Sequence, residues 1–191
     1  RNAVIVLGAL SLMLCINVPP LQASSDDAEN FIRAIGNKTL SSLREKGISE
    51  QERVKRFKEL LEEAFDLQRI ARFTLGRYWR VATNEEKKEY VGLFKKFVIQ
   101  AYANRFKELS GKSFNVIQAR GISTTQTLVV TEIVIPQKPA IRVNWRVRSK
   151  NHVYKITDVV VEGISMSVTQ RDEFVSVIRQ RGGKVEGLIR A

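Results

Sequence analysis

An α+β fold is predicted by the order in which the apolar periodicity changes along the chain. Apolar residues recur at helical spacing as far as Tyr102, alternate with polar ones over much of the stretch from Ser113 to Val161, and return to helical spacing after Val168. Helices therefore come first, an antiparallel sheet of about four strands follows, and a helix closes the chain.

Phe31, Ile32, Ile35, Leu40 and Leu43 define the first helix, which opens after Asp26-Asp27 and is expected to stop at Gly47. Ser49-Glu50-Gln51-Glu52 has the spacing of a capping box, in which a hydroxyl and a carboxylate satisfy each other's orphan backbone N–H groups. It starts a second helix whose apolar face is Val54, Phe57, Leu60, Leu61 and Ala64. Asp66 caps a short third helix that runs through Leu75 and ends at Gly76. A second box, Thr83-Asn84-Glu85-Glu86, opens the longest helix, with the stripe Tyr90, Leu93, Phe94, Phe97, Val98, Ala101 and Tyr102 and an end near Gly111.

Beyond Ser113 the spacing becomes that of strands. Ile141, Val143, Trp145 and Val147 alternate with Arg142, Asn144, Arg146 and Arg148, which predicts a half-buried strand with one basic face. Thr127–Ile135 pairs with it through Pro136-Gln137-Lys138-Pro139, where proline suits a turn and would interrupt a ladder. Phe114–Arg120 is the first strand, and Val153–Val161 follows the turn Ser149-Lys150-Asn151. Val168–Arg181 forms the closing helix and Val185–Ile189 a short terminal one.

Ala3–Ile16 is apolar apart from Ser11, long enough for the hydrophobic region of a signal peptide and shorter than the roughly 20 residues of a membrane span. Residues 1–23 are expected to be a cleavable signal peptide, with cleavage after Ala23, leaving 24–191 as one exported domain. The single cysteine, Cys15, falls inside that leader, so the mature chain would hold no disulfide, thiolate metal site or cysteine nucleophile. The whole sequence carries a formal charge of +12, and +11 without Arg1. Outside the cytoplasm, such a surplus favours anionic lipid surfaces and acidic partner proteins over nucleic acid.

Few residues have the chemistry of an active site. His152 is the sole histidine and sits beside a hairpin turn, with no metal-ligand spacing around it. Gly182-Gly183 follows a helix as a C-cap would, not a strand as a phosphate loop would. Asp66 is accounted for as a cap, and Asp158 interrupts an apolar strand where an arginine or backbone partner would hold it. No catalytic residue and no metal or cofactor site is expected. Instead, large apolar groups accumulate on both layers: Tyr90, Phe94, Phe97, Val98 and Tyr102 on the long helix; Val129, Ile133, Val143, Trp145, Val147, Val159 and Val161 on the sheet. By themselves these could simply interlock as core.

Two landmarks resemble a known family. Phe65-Asp66 leading into Leu75-Gly76-Arg77-Tyr78-Trp79, and Tyr154-Lys155-Ile156-Thr157-Asp158-Val159-Val160-Val161-Glu162-Gly163-Ile164-Ser165 much later, are similar to the toluene-tolerance family. Its best-known members are the MlaC-type periplasmic phospholipid carriers of the Mla (maintenance of lipid asymmetry) system. The helix start Thr83–Tyr90 and Arg171-Asp172-Glu173-Phe174 fall in the family's order. One departure is Asn151-His152-Val153-Tyr154-Lys155, where relatives usually have a glycine-containing turn and a Trp-Lys pair.

The resemblance implies helices packed on a curved sheet that encloses an apolar cavity. Phospholipid acyl chains would lie against Phe94, Phe97, Val98, Tyr102, Val129, Ile133, Val143, Trp145, Val147, Val159 and Val161. Arg142, Arg146 and Arg77 are candidates for head-group contact or docking. It further implies lipid as cargo without a cofactor, and passage between an outer-membrane lipoprotein-porin complex and an inner-membrane ABC transporter complex, without stable membrane insertion. A hopanoid-associated relative of the same fold is the nearest alternative. A basic nucleic-acid-binding module is the rival from another class, and would need aromatic residues exposed among the basic ones. An enzyme on this fold would need an acid or histidine inside the cavity.

Overall fold

The computed structural model describes residues 25–44, 49–107 and 112–191. The expected signal peptide, the helix stop at Gly47 and the helix end near Gly111 lie outside these residues. Among them the chain forms helices α1 (Ser25–Arg44), α2 (Glu50–Ala64), α3 (Leu67–Leu75), α4 (Asn84–Lys107), α5 (Met166–Gln180) and α6 (Val185–Ile189). A 3₁₀ turn, Gly76–Arg80, links α3 towards α4. Strands β1 (Ser113–Ser123), β2 (Gln126–Val134), β3 (Ile141–Lys150), β4 (Val153–Val161) and β5 (Ile164–Ser165) make one antiparallel sheet in chain order. The architecture is the expected α+β one, with a fifth short strand added.

Helices α2, α3, α4 and α5 start where their capping chemistry lies. The Ser49 hydroxyl accepts from Glu52 N at 3.1 Å, and Asp66 Oδ1 accepts from Arg69 N at 3.1 Å. At α4 the box closes in both directions: Glu86 N donates to Thr83 Oγ1 at 3.1 Å, and Thr83 N donates to Glu86 Oε2 at 2.8 Å. Such caps are worth about 1 kcal/mol each. Helix α5 begins at Met166, ahead of the expected Val168, because Ser165 is its cap and accepts from Val168 N at 3.2 Å.

The sheet departs from a flat ladder at defined points. Register shifts between Val116 and Gln118, between Gly121 and Ser123, and at Arg146/Val147 each put an extra residue on one strand, which bends the strand and increases local twist. The β3–β4 hairpin turns at Asn151-His152, not at Ser149-Lys150-Asn151. Both turn residues have positive φ, 51° and 60°, the geometry of a tight hairpin. Glu162-Gly163 makes the next tight turn with φ of 48° and 85°, which creates β5 and delivers the chain into α5. The second sequence landmark is therefore strand β4 closed by a hairpin turn and a helix cap.

The first landmark is explained in the same way. Phe65 forms a parallel bridge to Ile156, and Asp66 N donates to Ile156 O at 2.9 Å, so the α2–α3 link fills the β4 edge below the short β5. Ile156 is fully buried there. Together with Ala28, Ile32, Ile35, Leu60, Ala64, Val129 and Val147 it forms a core between α1, α2 and the sheet. A second core, around Ala71, Leu75, Tyr78, Tyr90, Phe94 and Ile178, unites α3, α4 and α5. Helix α4 buries a narrower stripe than its sequence predicts: Tyr90 and Phe94 are buried, whereas Leu93, Phe97 and Ala101 are exposed.

Candidate functional site: an apolar cavity

Between the two cores lies a cavity of about 370 Å³. Helix α1 contributes Ile32, Ile35, Gly36, Thr39 and Leu40, helix α2 Phe57, Leu60 and Leu61, and helix α3 Leu67, Ile70 and Thr74. Phe94, Val98 and Tyr102, one turn apart along α4, form a third side. The sheet supplies Phe114, Ile133, Trp145, Val159 and Val161, and the first turns of α5 add Met166, Ser167 and Gln170. Ser113 is exposed, whereas Ile32, Leu60, Leu61, Leu67 and Thr74 are buried. Thr39, Leu40, Lys112 and Phe114 are half-buried, so the less buried side of the cavity lies at the end of α1 and the start of β1, and the more buried side at the α2–α3 corner.

The buried polar atoms of Trp145, Thr131, Thr74 and Tyr90 are satisfied by the protein itself, so they do not make the interior polar. Trp145 Nε1 donates to Thr131 Oγ1 at 2.9 Å, and that hydroxyl donates to Val143 O at 3.0 Å. The indole thus turns an apolar ring to the cavity. Thr74 Oγ1 donates to Ala71 O at 3.0 Å and lies 2.8 Å from the Tyr90 hydroxyl. Burial holds that phenol protonated far above its ordinary range. Phe114 packs edge-on against Trp145 with ring centroids 6.3 Å apart. It also fits closely onto Gly36, where a Cβ would stand 2.5 Å from the ring, so glycine is what lets α1 approach β1 here.

Seven of the residues expected at the cavity line it: Phe94, Val98, Tyr102, Ile133, Trp145, Val159 and Val161. The other four do not, each for a packing reason. Val129 and Val147 are consumed by the core under α1. Val143 points inward but is 2 % exposed and does not reach the open space. Phe97 is 39 % exposed on the flank of α4, with its ring 5.5 Å from that of Phe174.

The arginines singled out from the sequence are not on the wall. Arg146 Nε is 3.6 Å from Asp158 Oδ2. The Arg142 side chain is 61 % exposed and 4.0 Å from Glu132, while its backbone N donates to Glu162 Oε1 at 2.6 Å. Arg77 donates to the Tyr78 hydroxyl at 3.1 Å and stacks over that ring at 5.0 Å, a hydrogen bond that lowers the phenol's pKa. The basic group that does line the cavity is Lys112, which the sequence reading missed. Its signal was parity: Lys112, Phe114 and Val116 share one face of β1.

Asp158 is the one acid on the wall among the described residues, and it is occupied. Oδ1 accepts from Ser167 N at 3.0 Å, Oδ2 accepts from Ser165 Oγ at 2.7 Å, and Arg146 offsets its charge. This carboxylate ties β3, β4 and the N-terminus of α5 together, where the helix dipole also favours it. His152 stays in its exposed hairpin turn, remote from the cavity wall. Among the described residues no group of three or more His, Cys, Asp or Glu side chains converges as metal ligands would, and no helix is long and apolar enough to cross a membrane.

Fold and site together define a helix-on-curved-sheet protein built around an internal apolar cavity. Residues 33–191 match the family described as MlaC protein, and with most of its length covered the chain belongs to that family. The fold is similar to that of the phospholipid-binding protein from Ralstonia solanacearum, whose structure was solved in complex with a phospholipid. The TM-score is 0.77 and the identity 21 %, over 86 % of this chain and 93 % of that one.

Proposed function

We propose that this protein binds phospholipid in the cavity and carries it across the periplasm. The observation that carries this reading is the cavity itself, walled largely by apolar side chains from both layers, with the Trp145 indole N–H satisfied by Thr131. Family membership and the phospholipid found in a protein of similar fold support it.

The physical need is plain. A diacyl lipid with about 30 methylenes, at ~0.8 kcal/mol each, faces on the order of 25 kcal/mol to cross water bare. A dry cavity removes most of that cost without any catalytic group, so the protein is proposed to act as a carrier and not as an enzyme. In this reading it is exported by a cleavable signal peptide. It serves as the soluble component between an inner-membrane ABC transporter complex and an outer-membrane lipoprotein-porin complex, with lipid as cargo and no cofactor. On β3, the strand with the basic face, Trp145 turns to the cavity, so its aromatic and basic residues lie on opposite faces, which favours this reading over a nucleic-acid surface there.

The test is transfer of a fluorescent phospholipid from donor to acceptor vesicles across a buffer gap. Transfer should rise in proportion to protein added. A rate no faster than spontaneous exchange, with a protein shown to be folded, would overturn the carrier reading.

A further inference from the structure

Among the described residues the cavity wall has one charged group whose charge is not already spent. Asp158 is held by Ser165, Ser167 and Arg146. Lys112 is half-buried, lines the cavity, and forms no ion pair or hydrogen bond among the described residues. It immediately precedes β1, and strand alternation sets it on the inner face with Phe114. Like Phe114 beside it and Thr39 and Leu40 at the end of α1, it lies on the less buried side of the cavity. Across from this point stands Thr39, one turn of α1 beyond Gly36, which fits onto the Phe114 ring.

We propose that Lys112 is the phosphate anchor of the cavity, the residue that makes the site prefer a diacyl lipid bearing a phosphodiester over a neutral lipid with the same chains. The proposal rests on the cavity being a lipid site. Apolar walls alone cannot discriminate between two lipids that differ only beyond the glycerol, since burial is non-directional. A lone ammonium at the rim of an apolar wall supplies that discrimination, because it gains a charge-assisted hydrogen bond where water competes less than in bulk. Its position also sets the polarity of the cargo: phosphate at the start of β1, chain ends at the α2–α3 corner. Thr39, on the facing helix and on the same cavity wall, supplies a hydroxyl as a further donor.

The experiment titrates delipidated protein with detergent-solubilised phosphatidylglycerol and with diacylglycerol of the same chains, and reads occupancy by native mass spectrometry. Wild type should favour phosphatidylglycerol. Lys112→Met should reduce that preference about tenfold, the effect of losing a hydrogen bond to a charged group, because phosphatidylglycerol loses far more affinity than diacylglycerol does. Lys112→Arg should retain the preference. Millimolar inorganic phosphate should leave it intact, and its abolition by free phosphate would overturn the proposal in favour of a simple anion site. A Lys112→Met protein that discriminates as well as wild type would also overturn it, with lipid binding surviving. If neither lipid loads into wild type, the lipid reading itself fails.

Discussion

Replacing Val161 by tryptophan should empty the cavity while leaving the fold stable. Val161 is half-buried on the cavity wall, paired with Val143 on one side and Ile164 on the other, and is absent from the packed cores. Tryptophan adds about seven heavy atoms to valine. Placed in a cavity of about 370 Å³, they displace a comparable number of lipid methylenes. At ~0.8 kcal/mol per methylene the loss is on the order of 5 kcal/mol, or between three and four powers of ten in affinity. The control is Val147→Trp, because Val147 is 1 % exposed inside the core under α1. Overpacking there should cost ~1–3 kcal/mol or more and leave the cavity's lining residues in place. Melting temperature must be read on delipidated protein, since bound lipid stabilises the native state by mass action. Lipid retention should be measured on the same preparations by extraction and mass spectrometry. A Val161→Trp protein that keeps its lipid and melts well below wild type would show that Val161 is ordinary core, and the cavity assignment would fall.

Three further outcomes are expected. Asp158→Ala should destabilise by about 3 kcal/mol in denaturant titration, because it orphans the Ser167 N–H and the Ser165 hydroxyl and leaves Arg146 without its partner; the exposed half of Arg146 limits the last contribution. Tyr90 has its pKa raised by burial above the ordinary value of 10.0, so its contribution to stability is complete below that pH and declines as pH rises beyond it. Relative to wild type, Tyr90→Phe should be less stable by about 1 kcal/mol at neutral pH, and its stability should fall less steeply above pH 10, by up to about 1.4 kcal/mol per pH unit. Parallel curves would remove Tyr90 from the explanation. Lipid transfer to anionic vesicles should slow as ionic strength rises past physiological, where the Debye length drops below ~8 Å, with little change in occupancy; a flat salt profile would mean that the surplus charge serves solubility only.

Local chemistry was legible in the sequence wherever it acts over three or four residues. Thr83 with Glu86, and Asp66, do in three dimensions what their spacing announces, and Ser49 caps α2 through its hydroxyl while the Glu52 carboxylate pairs with Arg56. The β3 alternation likewise put Val143, Trp145 and Val147 on one face and the arginines on the other. Alternation gives the direction of a side chain, though, and not the distance to the opposite layer. Val147 and Trp145 are two residues apart on the same face, yet one is locked under α1 while the other borders open space. That difference is set by how helices distant in sequence rest on the sheet, and by the close fit of Phe114 onto Gly36, neither of which periodicity encodes.

Turns and edges were less visible for a related reason. Asn151-His152 and Glu162-Gly163 reverse the chain with left-handed backbone at three residues other than glycine; Asn and His adopt it more readily than most, whereas Glu162 gives no such signal. Strand β5 is two residues long, too short for any alternation to show. Lys112 stood outside every hydrophobic pattern because it is a cation. Only its parity with Phe114, once the start of β1 is fixed, places it at the cavity.

The central claim is that the space between the layers is a lipid site, and native mass spectrometry of protein purified from a bacterial host tests it most directly. The account predicts a mass above that of the chain by one phospholipid, released by organic solvent and absent from Val161→Trp. Protein that flies at the bare chain mass, and stays there after incubation with solubilised phospholipid, would contradict it.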